Sequence, residues 1–175
     1  MLETDLYEPV KRFLESRGYE VKGEVGPADV VAVRGDEPPV IVELKTGFSL
    51  SLIHQAIERQ ALTDSVYVAV PAGNGRRFAK TLKNNLKLCR RLGLGLITVR
   101  PSDRLVIVHA DPAPYRPRRS KRKQAVLLDE FTRRTGDPNQ GGATRQKLVT
   151  AYRQDAMRCA AYLAANGATK AAAVA

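Results

Sequence analysis

Ala28-Asp29-Val30-Val31-Ala32-Val33, then Arg34-Gly35-Asp36-Glu37-Pro38-Pro39, then Val40-Ile41-Val42-Glu43-Leu44-Lys45: two β-branched runs flank a Gly/Asp/Pro cluster. Such runs become strands buried on both faces, and the cluster between them supplies a reversal, so the segment predicts a β-hairpin. Centring the turn on Asp36 sets position 29 opposite position 43, and two carboxylates then meet across the ladder. Directly paired residues carry Cβ atoms about 4.5–5.5 Å apart, where like charges repel unless something positive lies between them. A divalent cation is the obvious candidate. Side chains alternate along a strand, so Glu43 and Lys45 share one face while Leu44 points to the other. Asp29, Glu43 and Lys45 are thus expected to converge on one spot.

An Asp on one strand followed by Glu-x-Lys on the next resembles the PD-(D/E)xK nuclease superfamily, and the resemblance spans roughly the first 110 residues. Within it, the likeness is greatest to a group of uncharacterised bacterial proteins proposed to be phosphodiesterases, which open with Glu-Thr-Asp-Leu-Tyr, here Glu3-Thr4-Asp5-Leu6-Tyr7. The residue before Asp29 is Ala28, with Pro27 one place earlier, so the first letter of the motif is missing; it is not a ligand. The resemblance implies a restriction-endonuclease-like α/β core, a mixed sheet flanked by helices. It also implies Mg²⁺ or Mn²⁺ held by Asp29, Glu43 and the Leu44 carbonyl, with Lys45 beside it. A further carboxylate from the first helix is expected, for which Glu3 and Glu8 compete and Glu3 is preferred. Gln55 resembles the glutamine that Holliday-junction resolvases carry on the helix after the catalytic strand, with Gln60 the weaker alternative and His54 a flanking residue.

The chain has 175 residues and a net charge of +11, unevenly spread. Residues 1–70 carry 7 Lys/Arg against 12 Asp/Glu, and residues 71–175 carry 22 against 6. An acidic half able to hold a metal, joined to a strongly basic half, suits an enzyme that cuts a polyanion. Cys89 and Cys159 lie far apart and share no ligand spacing with His54 or His109, so reduced thiols are expected and zinc is not. No leader pattern and no apolar run of about 20 residues is present, so a cytoplasmic protein without membrane contact is expected.

Apolar periodicity predicts helices over 4–17, with Thr4 as cap and Gly18 as stop, and over about 49–62, with Ser49 as cap and Leu50, Ile53, Ile57 and Ala61 on the apolar side. Pro9 is read as lying near the first turn. Strands are expected over 19–25, 65–70, 94–99 and 105–108 beside the hairpin. A two-faced helix over 75–92 sets Arg76, Lys80, Lys83, Lys87, Arg90 and Arg91 on one stripe and Phe78, Leu82, Leu86 and Cys89 opposite.

The nuclease-like core is expected to occupy 1–111. A basic, Pro-rich linker over 112–123 follows, and it contains Arg118, Arg119, Lys121, Arg122 and Lys123. Residues 124–175 form an all-helical extension, with helices over about 120–134 and 145–165 and a restart at Thr169, resembling an incomplete helix-turn-helix or winged-helix module. The stripe and the linker cluster are candidate phosphate contacts rather than base readers. The expected activity is metal-dependent hydrolysis of nucleic-acid phosphodiesters, with DNA favoured over RNA and a homodimer left open; the alternative is a catalytically inactive nucleic-acid-binding protein with the same fold.

Overall fold

The computed structural model describes residues 2–171, and the chain divides into two compact units, Met1–Pro117 and Arg118–Ala175. In the first, α1 (Thr4–Glu15) precedes β1 (Glu20–Val25), β2 (Ala28–Val33) and β3 (Val40–Leu44); α2 (Leu50–Arg59), β4 (Val66–Pro71), α3 (Gly75–Leu92), β5 (Gly95–Val99) and β6 (Val106–Ala110) follow. Among the described residues the six strands make one sheet in the order β1-β2-β3-β4-β5-β6. The β3–β4 and β4–β5 pairs are parallel, each bridged by a crossover helix, and the remaining pairs are antiparallel.

One apolar layer joins Leu6, Val10 and Leu14 of α1 to Val30, Val42 and Leu44, and the other joins Leu52, Ile53 and Ala56 of α2, with Cys89 of α3, to Ile41, Val66 and Val68. The sheet is therefore covered on both faces, which is why its central strands read as unbroken apolar runs. Neither cysteine is in a disulfide, and burial raises the pKa of the Cys89 thiol to about 11, in keeping with a packing residue.

Three local expectations are corrected. Thr4 is already helical and Glu3 precedes it without a side-chain cap. Pro9 lies inside α1 rather than near its start, and its missing N–H frees the carbonyl of Asp5, to which Arg104 Nη1 donates at 2.7 Å. On α2 the buried residues are Leu52, Ile53, Ala56 and Arg59, whereas Leu50 and Ile57 are exposed. Ser49 caps that helix as expected, accepting from Leu52 N at 3.2 Å.

The second unit contains α4 (Lys121–Arg133) and α5 (Ala151–Asn166). The helix expected from 145 begins at Ala151, because Arg145 has φ 62, the Asn139 amide bonds both Val149 N and Val149 O, and Thr150 caps Arg153 N. Polar ties join the helices: Arg133 Nη2 meets Asp155 Oδ2 at 2.9 Å, and Ala151 N donates to Glu130 Oε1 at 3.0 Å. The connection over 134–150 is far longer than the 3–4-residue turn of a helix-turn-helix. The expected restart at Thr169 runs largely into 172–175, outside the described residues.

Candidate active site

The β2–β3 register pairs Val30 with Val42, Val31 with Ile41 and Ala32 with Val40, the register of a turn centred on Asp36. Its next step toward the strand ends is Asp29 and Glu43. Leu44 is buried among the α1-side residues, and Ile41, two residues before Glu43, packs on the α2 side. Alternation therefore directs Glu43 to the α2 side. The half-buried Asp29 turns its carboxylate onto the next strand, where Oδ2 accepts the Leu44 N–H at 2.7 Å.

Glu43 is 0% exposed, and its Oε1 accepts from Arg59 Nε at 2.8 Å. Arg59 also donates through Nη2 to the Pro27 carbonyl, so one guanidinium ties α2 to the turn before β2. The other carboxylate oxygen, Glu43 Oε2, is buried without a partner. Burial pushes the Glu43 pKa above the usual carboxylate value and the charge of Asp29 adds to this, while the Arg59 hydrogen bond and charge and the Lys45 charge oppose it. Asp29 and Glu43 are thus electrostatic neighbours, and their mutual repulsion is what an added cation would relieve.

Lys45 Nζ lies 3.3 Å from Glu3 Oε2. Glu8 faces away and pairs with Arg12 Nε at 3.0 Å on exposed surface, so Glu3 is the α1 carboxylate that reaches the strand end. Gln55 Oε1 is, among the described residues, the second buried acceptor without a partner. Gln60 is engaged elsewhere, donating to Leu92 O at 2.9 Å, and His54 is exposed.

A cleft of about 430 Å³ opens between α1 and the β1–β2 turn, lined by Glu3, Tyr7, Glu24, Asp29 and Leu44 among others. Gly23 makes room for the Tyr7 ring on its wall: a Cβ there would sit 2.8 Å from Tyr7 Cε2. Glu24, at the rim, holds φ 53, a left-handed value that a non-glycine residue adopts at a cost. Sequence reasoning missed Tyr7, Glu24 and Arg59. Only Arg59 carries a clear signal, since it continues the 52, 56, 59 stripe of α2 with a charge, and an arginine on a buried face requires a buried partner.

Among the described residues, no group of three His, Cys, Asp or Glu side chains is placed to hold a metal ion. The protein side of such a site is limited to two carboxylates, Asp29 and Glu43, with the Leu44 carbonyl. That set fits a hard cation which keeps several waters. The orphaned, buried Glu43 Oε2 is the observation that makes the fit.

The basic clusters are separate from this chemistry. Arg76, Lys80, Lys83, Lys87, Arg90 and Arg91 are all exposed along α3, opposite buried Cys89 and half-buried Leu82 and Leu86. Arg118, Arg119, Lys121, Arg122 and Lys123 are exposed in the second unit. No member of either cluster forms an ion pair among the described residues, so their charge is uncompensated.

Residues 96–175 match the family described as "Putative PD-(D/E)XK phosphodiesterase (DUF2161)", the superfamily that Asp29 and Glu43-Leu44-Lys45 resemble. The matched segment takes in β5, β6 and the second unit, and the Asp29, Glu43 and Lys45 site lies ahead of it. No curated protein matches the chain. Among the described residues no helix is long and apolar enough to cross a membrane.

Proposed function

We propose that this chain is a metal-dependent phosphodiesterase acting on nucleic acid, DNA in preference to RNA, with Asp29, Glu43 and the Leu44 carbonyl as the ligands of Mg²⁺ or Mn²⁺. The observation that carries the reading is a buried carboxylate with one oxygen held by Arg59 and the other buried without a partner among the described residues, beside a second carboxylate at the end of neighbouring strands. A structural ion pair would be expected to satisfy both oxygens. A bound divalent cation would lower the pKa of a coordinated water and offset charge developing on a phosphodiester.

The chain's own groups have the remaining roles. Lys45 orients the attacking water or stabilises the phosphorane oxygens. Glu3, on the Lys45 ammonium, fixes where that charge sits. Gln55 Oε1, with no donor among the described residues, is available to accept from a water. The α3 stripe and the basic cluster over 118–123 grip phosphates without reading bases. In this reading residues 1–111 cut and, through the α3 stripe, share the grip on the substrate with the basic 112–123 linker, and the long 134–150 connection gives no support for a base-reading helix.

One observation favours a catalytically inactive nucleic-acid-binding protein instead, namely that Arg59 already occupies one oxygen of Glu43. Incubating the purified protein with linear, circular and branched DNA and with RNA, in Mg²⁺, Mn²⁺ or EDTA, separates the two. Cleavage that EDTA stops supports the enzyme; salt-sensitive binding without cleavage on every substrate and metal supports the binder.

A further inference from the structure

We infer that Arg59 is a positioning residue that sets which cation the Glu43 site accepts: by holding Oε1 it leaves Glu43 a single free oxygen and so selects a small octahedral ion over Ca²⁺. The inference rests on the metal reading above and adds to it a residue and a specificity.

A carboxylate can bind a cation through one oxygen or both. Ca²⁺ takes 6–8 oxygens in flexible geometry and readily accepts a bidentate carboxylate, whereas Mg²⁺ demands a near-ideal octahedron and takes single oxygens plus waters. At Glu43 the choice is restricted by the protein. Oε1 is committed to Arg59 Nε at 2.8 Å, and Oε2 alone is unpartnered. Arg59 is itself held: its side chain is 9% exposed, Nη2 donates to the Pro27 carbonyl, and Nη1 lies 3.7 Å from Glu58 Oε2. Its planar fork therefore cannot swing aside without giving up its bond to the Pro27 carbonyl, and this is geometry a lysine would not reproduce.

Helix α2 begins just past the carboxyl end of β3 and runs back along it, so Gln55, one turn before Arg59 on the same face, lies nearer the strand end. The arginine closes the Oε1 side of the Glu43 carboxylate. Gln55 Oε1, on the same helix, is a buried acceptor without a partner among the described residues and is available to accept from a water.

The test is binding of the metal alone. Mn²⁺ bound to wild type, Arg59→Gln, Arg59→Lys and Glu43→Gln is followed by the EPR signal of the free ion, with Mg²⁺ and Ca²⁺ as competitors and circular dichroism as the check on folding. Wild type should bind Mn²⁺, Glu43→Gln should not, and Mg²⁺ should compete better than Ca²⁺. Arg59→Gln should shift the ratio of Ca²⁺ to Mg²⁺ affinity toward Ca²⁺ by about ten-fold, because the freed Oε1 permits bidentate ligation. If Arg59→Gln does not fold, Arg59→Lys carries the test: it retains the charge but cannot hold Glu43 and Pro27 together, and should shift the ratio in the same direction by about three-fold. A ratio equal to wild type in the folded variants, with both ions weakened alike, overturns the selectivity role and leaves the metal site standing. Wild type that binds no Mn²⁺, or binding untouched by Glu43→Gln, removes the metal site and this inference with it.

Discussion

The Glu43–Arg59 pair carries the heaviest desolvation cost in the core, and a double-mutant cycle measures it without reference to activity. Glu43 is 0% exposed and the Arg59 side chain 9%, so Arg59→Met strands a carboxylate in the apolar layer of α2. Removing one partner of a buried pair costs about 3–5 kcal/mol. Glu43→Leu should cost less, because Arg59 keeps the Pro27 carbonyl and its proximity to Glu58. The double variant Glu43→Leu/Arg59→Met should match or exceed wild type. It removes both desolvated charges and the orphaned Oε2, whose burial alone costs about 1–3 kcal/mol, and apolar replacements of such pairs are neutral or stabilising by about 1–4 kcal/mol. The expected coupling is at least about 3 kcal/mol, read as midpoint shifts in urea unfolding followed by circular dichroism, at unchanged slope. Single losses that add up to the double within about 0.5 kcal/mol would refute the reasoning. A stabilised double variant would mean that the pair is kept for the site although the fold would be more stable without it.

Gly23→Ala should destabilise the first unit by about 1–3 kcal/mol, because the new Cβ would sit 2.8 Å from Tyr7 Cε2; an unchanged urea midpoint would count against the Tyr7 seat. His109, whose Nε2 lies 2.8 Å from Thr98 Oγ1, has its pKa lowered from 6.5 by burial. The folded state therefore takes up the proton after the unfolded state does. Its contribution is complete above about pH 6.5 and is lost as pH falls through the lowered folded value, so the stability difference between wild type and His109→Gln should shrink from pH 7.5 to pH 5, and a flat difference would contradict the shift. Neutralising Arg76, Lys80, Lys83 and Lys87, or separately Arg118, Arg119, Lys121, Arg122 and Lys123, should lower the slope of log affinity against log salt by about 0.9 for each duplex phosphate that the protein no longer neutralises. The larger change identifies the main grip, and unchanged slopes in both would remove the polyanion reading.

The hairpin was legible because its signal is local and redundant: two β-branched runs, a turn between them and a period of two fix the register, and Val30 does pair with Val42. The α3 stripe was legible for the same reason, with charged and apolar positions separating cleanly around the helix. On α2 they did not separate. Leu50 and Ile57 offered a plausible apolar face, but the packed face is 52, 53, 56 and 59, and it closes on a charged residue whose partner lies on β3. That pairing is long-range, and periodicity does not report it. The rescue of the Asp5 carbonyl by Arg104 is equally non-local, joining the α1 proline to the turn before β6. The start of α5 was missed because side-chain bonds of Asn139 and Thr150, rather than helix propensity, decide it.

Metal-dependent cleavage by the Asp29, Glu43 and Lys45 site is tested most directly by cleavage and binding assayed side by side on the same linear DNA, with wild type, Asp29→Ala, Glu43→Ala and Lys45→Ala, in Mg²⁺ and in EDTA. Wild type should cut only with metal, and all three variants should bind nearly as well as wild type but not cut. Undiminished cleavage by Lys45→Ala purified free of contaminating nuclease, or cleavage by wild type in EDTA, would contradict this assignment.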